Sequence, residues 1–133
     1  MIEQTLSIIK PDAVERNLEG KIKNFFKINN LKILKTKKVK ISKEEATEFY
    51  KVHQKKPFYN DLCNYLSSGP IIAMILEGEN AISKNRQLMG ATDPTKAEEG
   101  TLRKMYGLSI DKNSVHGSDS IKNAKNEINF FFK

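Results

Sequence analysis

The sequence predicts an α+β sandwich of the βαββαβ type, a four-stranded antiparallel sheet with helices packed on it. Three observations lead there. Strand and helix patterns alternate along the chain. The apolar run 71–76 is bounded by Gly69-Pro70 and reads as a central strand covered on both faces. No repeat or low-complexity linker divides the 133 residues, so residues 1–133 are expected to form one domain.

Residues 5–10 read as the first strand, stopped by Pro11. Residues 20–29 read as a helix, with Ile22, Phe25, Phe26 and Asn29 at helical spacing. Residues 31–41 form a long second strand with alternating stretches. Ser42 and Glu45 make a capping-box pattern that starts a helix with Ala46, Phe49, Tyr50 and His53 on its apolar face. That helix must end before Pro57, and a short one follows with Tyr59, Leu62 and Leu66 on one side. After the central strand, Asn80 is expected to cap a helix carrying Ile82, Arg86 and Met89 on one face. Residues 91–114 show no clear period, and an irregular stretch of that length in a compact domain is usually functional or disordered. It runs into a short last strand at 114–116 and a final helix over 120–132.

Composition narrows the class. Hydrophobic residues make up 38% and charged residues 29%, values of a soluble globular chain. Cys63 stands alone, and no Cys/His spacing suggests zinc, so a reducing, cytosolic setting is expected. No signal-peptide pattern opens the chain, and no apolar run is long enough to cross a bilayer. The net charge of +7 favours an anionic partner. Much of it lies in Lys32, Lys35, Lys37, Lys38 and Lys40, which suit a solvated edge strand.

The candidate chemistry gathers late in the chain. His116 sits between the irregular stretch and the last helix, beside Gly117 and the potential cap residues Ser118, Asp119 and Ser120. Imidazole is a competent nucleophile toward phosphorus near neutral pH, although a polar loop histidine fits the same spacing. Glu127 flanks the apolar stripe Ile121, Ala124, Ile128 and Phe131, so it either faces His116 or reaches solvent. Lys10 shares a strand face with Leu6 and Ile8, and its amine either binds a ligand at the strand end or snorkels. Arg86 needs an anion or a carboxylate partner, and together with Arg103 it offers a bidentate clamp for polyphosphate. Tyr50 reads as a core aromatic, whereas Phe58, at a helix break, offers an exposed stacking face to a base. No Walker-type or G-x-G-x-x-G loop is present, and no acidic cluster is spaced as a metal cage. Phosphate must then be held by side chains and magnesium.

Taken in order, these blocks resemble the nucleoside diphosphate kinase family over essentially the whole chain. The resemblance begins with Thr5-Leu6-Ser7-Ile8-Ile9-Lys10-Pro11-Asp12-Ala13-Val14 and continues through Phe49-Tyr50 and Lys56-Pro57-Phe58. It runs on through Ser68-Gly69-Pro70, Leu76-Glu77-Gly78-Glu79-Asn80-Ala81 and Leu88-Met89-Gly90-Ala91-Thr92. It ends in Asn113-Ser114-Val115-His116-Gly117-Ser118-Asp119-Ser120, which is similar to the family's active-site signature.

The resemblance implies a ferredoxin-like fold and ping-pong transfer of the γ-phosphate of a nucleoside triphosphate, typically ATP, to a nucleoside diphosphate. His116 matches the phosphorylated histidine. Lys10 and Asn113 match ligands of the sugar hydroxyls. Arg86, Thr92 and Arg103 match phosphate ligands, and Phe58 matches the ring that stacks on the base. Tyr50, Ser118 and Glu127 match the shell supporting the histidine. Magnesium ion, Mg2+, is expected to bridge the phosphates with little protein ligation, so no dedicated metal ligand is assigned. A homo-oligomer, tetramer or hexamer, is expected. The segment Lys104-Met105-Tyr106-Gly107-Leu108 is less typical of the family than its flanks. A nucleic-acid-binding sheet would carry aromatics in an RNP-like pattern, which this sequence lacks, so specific nucleic-acid binding is not expected. A structural oligomer that had lost catalysis would lack His116 or its partners, and all are present.

Overall fold

The computed structural model describes residues 1–51, 54–57, 59–110 and 112–132. Its sheet has the strand order β2-β3-β1-β4, built from β1 (Ile2–Ile9), β2 (Lys32–Val39), β3 (Ile71–Glu79) and β4 (Val115–Gly117). Every pairing is antiparallel. This is the ferredoxin-like α+β arrangement expected from the sequence. The central pair registers Leu6 with Ile75 and Ile8 with Ala73, and the short β4 sets His116 opposite Ile8.

A core lies on each face of the sheet, as the period of two requires. Ile9, Ile72, Met74, Leu76 and Val115 face one side, with Ala13 of α1 (Pro11–Glu15), Ile22 and Phe26 of α2 (Glu19–Ile28) and Met89 of α5 (Ala81–Met89). Leu6, Ile8, Ile71 and Ala73 face the other, with Phe49 of α3 (Lys43–Phe49), Leu66 of α4 (Tyr59–Leu66) and Phe131 of α7 (Ile121–Phe132). The central strand is therefore covered on both faces. The lysine-rich β2 is a solvated edge: Lys32, Lys35, Lys37 and Lys38 are exposed.

Ser42 and Glu45 form both bonds of the capping box at the start of α3. Other expectations are corrected. Pro11 does not merely stop β1. It occupies the first position of α1, where a missing N–H is harmless and the proline φ suits a helix. Asn80 precedes α5 in a left-handed conformation, φ 49°, and makes no side-chain cap bond. Ile121 is exposed, so the buried stripe of α7 is carried by Ala124 and Phe131 with Ile128 partly covered. Residues 91–114 hold a 3-10 turn, Pro94–Lys96, and helix α6 (Leu102–Tyr106), capped by the Thr101 hydroxyl. The expected places of His53 and Phe58 lie outside the described residues.

Candidate active site

β4 delivers His116 to the same sheet face as Leu6 and Ile8, where α3 and α7 pack. Its ring meets Phe49 edge-on at a centroid distance of 5.3 Å and Tyr50 at 6.2 Å. Its Nε2 lies 3.0 Å from Glu127 Oε1, and Ser118 Oγ donates to that same oxygen at 2.8 Å. An ionised carboxylate only accepts, so Nε2 carries the proton and Nδ1 holds the lone pair. Glu127 is thus directed inward, toward His116. Ser118 is itself pinned, accepting from the Leu6 N–H at 3.3 Å.

Gly117 explains how the strand fits beneath α5. A Cβ there would stand 2.3 Å from Asn85 Nδ2 and 2.8 Å from Met89 Cε. The close approach allowed by this glycine therefore comes from the helix on the opposite face, not from the His116 side.

His116 lines a cavity of about 400 Å3. Lys10, Tyr50, Arg86, Thr92, Arg103, Asn113 and Glu127 line it too, so the fold gathers residues scattered over the whole chain. Ser118 stands behind Glu127. Phe58 lies outside the described residues. Lys10 is 4% exposed, and its amine donates to Asn113 Oδ1 at 2.9 Å. Asn113 Nδ2 in turn donates to the carbonyls of Ile110 at 2.9 Å and Thr92 at 3.2 Å. These bonds tie the irregular stretch to the end of β1.

Arg103, on α6, is buried. It donates from Nη1 to the Gly90 carbonyl at 3.1 Å and from Nη2 to the Val115 carbonyl at 2.9 Å, while its buried Nε has no partner among the described residues. Burial, and then the neighbouring Arg86 charge, bring its guanidinium down to about 10. Arg86 does not sit on the buried face of α5. That face is Ile82, Asn85 and Met89, and Arg86 is exposed and turned to the cavity. No salt bridge to a described carboxylate joins either arginine. Two cations at one wall, neither ion-paired to a described carboxylate, suit a polyanion. Burial and the Glu127 charge push the Tyr50 phenol well above its ordinary range, so it stays protonated beside His116.

Lys56, Met89 and Asn123 also line the cavity, and the sequence marks none of them as a site residue. Asn123 had a usable signal, since it lies one helical turn beyond Asp119 and donates to Asp119 Oδ1 at 2.6 Å. Leu62 and Ile110 supply apolar wall.

The chain is similar to known proteins over nearly its whole length. A family model described as nucleoside diphosphate kinase matches residues 3–133. The chain is 58% identical to the nucleoside diphosphate kinase of Campylobacter curvus over 131 residues, covering 98% of this chain and 96% of that protein. With the same enzyme of Nitratiruptor sp. the identity is 56% at the same coverage. Among solved structures, the Aquifex aeolicus nucleoside diphosphate kinase superposes with a TM-score of 0.97 at 40% identity, covering 100% of this chain and 96% of that one. The apo enzyme of Encephalitozoon cuniculi gives 0.94 at 36% identity, covering 98% and 88%.

Proposed function

The chain belongs to the nucleoside diphosphate kinase family and has that family's phosphotransferase activity, and from this premise we propose that the phosphate passes through His116. One observation carries the reading: the His116 ring is fixed through Nε2 by Glu127 in a cavity walled by Arg86 and Arg103.

In the first half-reaction, the Nδ1 lone pair attacks the γ-phosphorus of a nucleoside triphosphate. The bond to the bridging oxygen breaks, and the diphosphate leaves with that electron pair. The ring becomes cationic as the N–P bond forms, and Glu127 stabilises that charge through Nε2–H. In the second half-reaction a different diphosphate attacks phospho-His116, and the imidazole leaves as it came. Arg86, Arg103 and Thr92 hold the phosphates. Lys10 and Asn113 bind the sugar hydroxyls, and Phe58 stacks on the base. Tyr50 and Ser118 keep the ring and its carboxylate in place.

Magnesium fits this donor set. Among the described residues no group of three or more metal-ligating side chains is present, whereas phosphate-binding cations line the cavity. The nucleotide phosphates would hold the ion, with Asp119 the other described carboxylate lining the cavity. When bound, it neutralises phosphate charge in the transition state.

We further take residues 1–133 as one domain acting in a cytoplasmic homo-oligomer, tetramer or hexamer. A free, buried Cys63 suits a reducing compartment. Exposed Leu108 on the long loop suits coverage by a second copy. Specific nucleic-acid binding is not part of the reading, since the sequence lacks the RNP-like aromatic pattern of a nucleic-acid-binding sheet.

His116→Ala tests the central assignment. Phosphate exchange between nucleotides disappears while the fold is kept; exchange at the wild-type rate overturns the mechanism.

A further inference from the structure

The root of β4 is a strained turn. Ser114 is fully buried with φ 76°, and the Val115 N–H donates across it to the Asn113 carbonyl at 3.0 Å. This is a γ-turn with a positive central φ, a rare and strained form, here on a residue that carries a Cβ. Asn113, on one side, meets Lys10, and His116 lies just beyond the other side. Any relaxation of the turn moves these groups relative to each other.

A buried carboxylate holds the turn. Ser114 Oγ donates to Asp12 Oδ2 at 2.8 Å, and the Lys10 N–H donates to the Ser114 carbonyl at 2.8 Å. Arg16 Nη2 donates to Asp12 Oδ2 at 3.1 Å, to Ser114 Oγ at 3.2 Å and to the Tyr106 carbonyl at 2.6 Å. The Tyr65 hydroxyl donates to Asp12 Oδ1 and accepts from the Asp12 N–H at 2.8 Å. The Asp12 side chain is 4% exposed, so these donors take the place of water at its oxygens. α1, α4 and the residue that precedes β4 thus meet on one carboxylate, with α6 tied to it only through Arg16, and this carboxylate does not line the His116 cavity.

We propose that Asp12 is a positioning residue: clamped by Arg16 and Tyr65, it holds Ser114 in the left-handed turn and thereby sets His116 and Asn113 in register for phosphoryl transfer. The proposal rests on the reading of His116 as the nucleophile. A residue that only stabilised the fold would change how many molecules react. A positioning residue changes how fast each folded molecule reacts, because small misplacements of reacting groups are costly in rate.

Single-turnover phosphorylation of the full chain at saturating Mg-ATP separates the two, since amplitude counts folded molecules and rate reports geometry. Asp12→Asn is expected to lower the rate about tenfold or more with near-full amplitude. In a Ser114→Gly background, where a positive φ needs no support, Asp12→Asn should change the rate by no more than about twofold, the ordinary scatter between independent sites. Ser114→Ala, which leaves Asp12 paired with Arg16 and Tyr65, should also be slow, and it serves if Asp12→Asn does not fold. An Asp12→Asn rate equal to wild type, an equal loss in both backgrounds, or Ser114→Ala at the wild-type rate overturns the proposal. A wild-type chain that forms no phosphohistidine would instead overturn the nucleophile assignment beneath it.

Discussion

Glu127 Oε1 receives two hydrogen bonds at once, from His116 Nε2 at 3.0 Å and from Ser118 Oγ at 2.8 Å. The carboxylate is only 14% exposed, and its partner ring 16%. One oxygen therefore sets the ring's tautomer, its orientation and the charge it faces.

Glu127→Gln follows from that relationship. It keeps the shape but removes the charge that steadies the ring as it becomes cationic. Phosphorylation of His116 is expected to slow by roughly ten- to a thousandfold, with nucleotide affinity little changed. Single-turnover kinetics alongside equilibrium binding will check this. An unchanged rate, or a defect only in binding, contradicts it.

Arg86 and Arg103 should separate by burial. Arg86 is exposed, so Arg86→Ala should weaken nucleotide binding by about tenfold or more and move Tm by no more than about 3 °C. Arg103 bonds the Gly90 and Val115 carbonyls. Arg103→Ala should weaken binding and also cost about 1–3 kcal/mol of stability, because those carbonyls lose their partner. Calorimetric binding and thermal melts of both variants test the contrast.

Metal removal should stop transfer without touching the fold. Among the described residues no group of three or more metal-ligating side chains is present. Excess EDTA is therefore expected to abolish phosphorylation and leave Tm of the nucleotide-free chain within about 1 °C. A large fall in Tm would point to a structural ion.

The framework was legible in the sequence where a local pattern and the tertiary environment agree. β3 reads as an unbroken apolar run because both its faces are covered, and Ser42 with Glu45 reads as a capping box because both bonds are local. β4 is nearly invisible, since its three residues are held by pairing with β1 rather than by any period. Pro11 is ambiguous by nature, a strand stop and a helix start at once. In the site, His116 stood out only through its neighbours. The inward turn of Glu127 was one of two open choices until helix α7 was placed. The burial of Arg103 has no local sign because its carbonyl partners come from Gly90 and Val115, and Arg86 leaves the Ile82 and Met89 face because Asn85 takes the inward position. The Asp12–Ser114 bond joins residues at opposite ends of the chain and has no local signature.

Base preference should be weak. The apolar wall offers Leu62 and Ile110, and the amide of Asn113 is engaged by Lys10, Ile110 and Thr92 rather than aimed at a base edge. Across the common nucleoside diphosphates, kcat/KM should vary by less than about a thousandfold, or about 4 kcal/mol of discrimination. A larger preference would mean that a base-reading group is present.

The most direct test is isolation of the intermediate. The chain is incubated with γ-labelled ATP and Mg2+, freed of nucleotide, and examined for bound phosphate. The account predicts an acid-labile, base-stable phosphate on His116, about one per chain, which a nucleoside diphosphate then discharges to the triphosphate. Label on another residue, or exchange that proceeds with no phosphorylated protein, would contradict it.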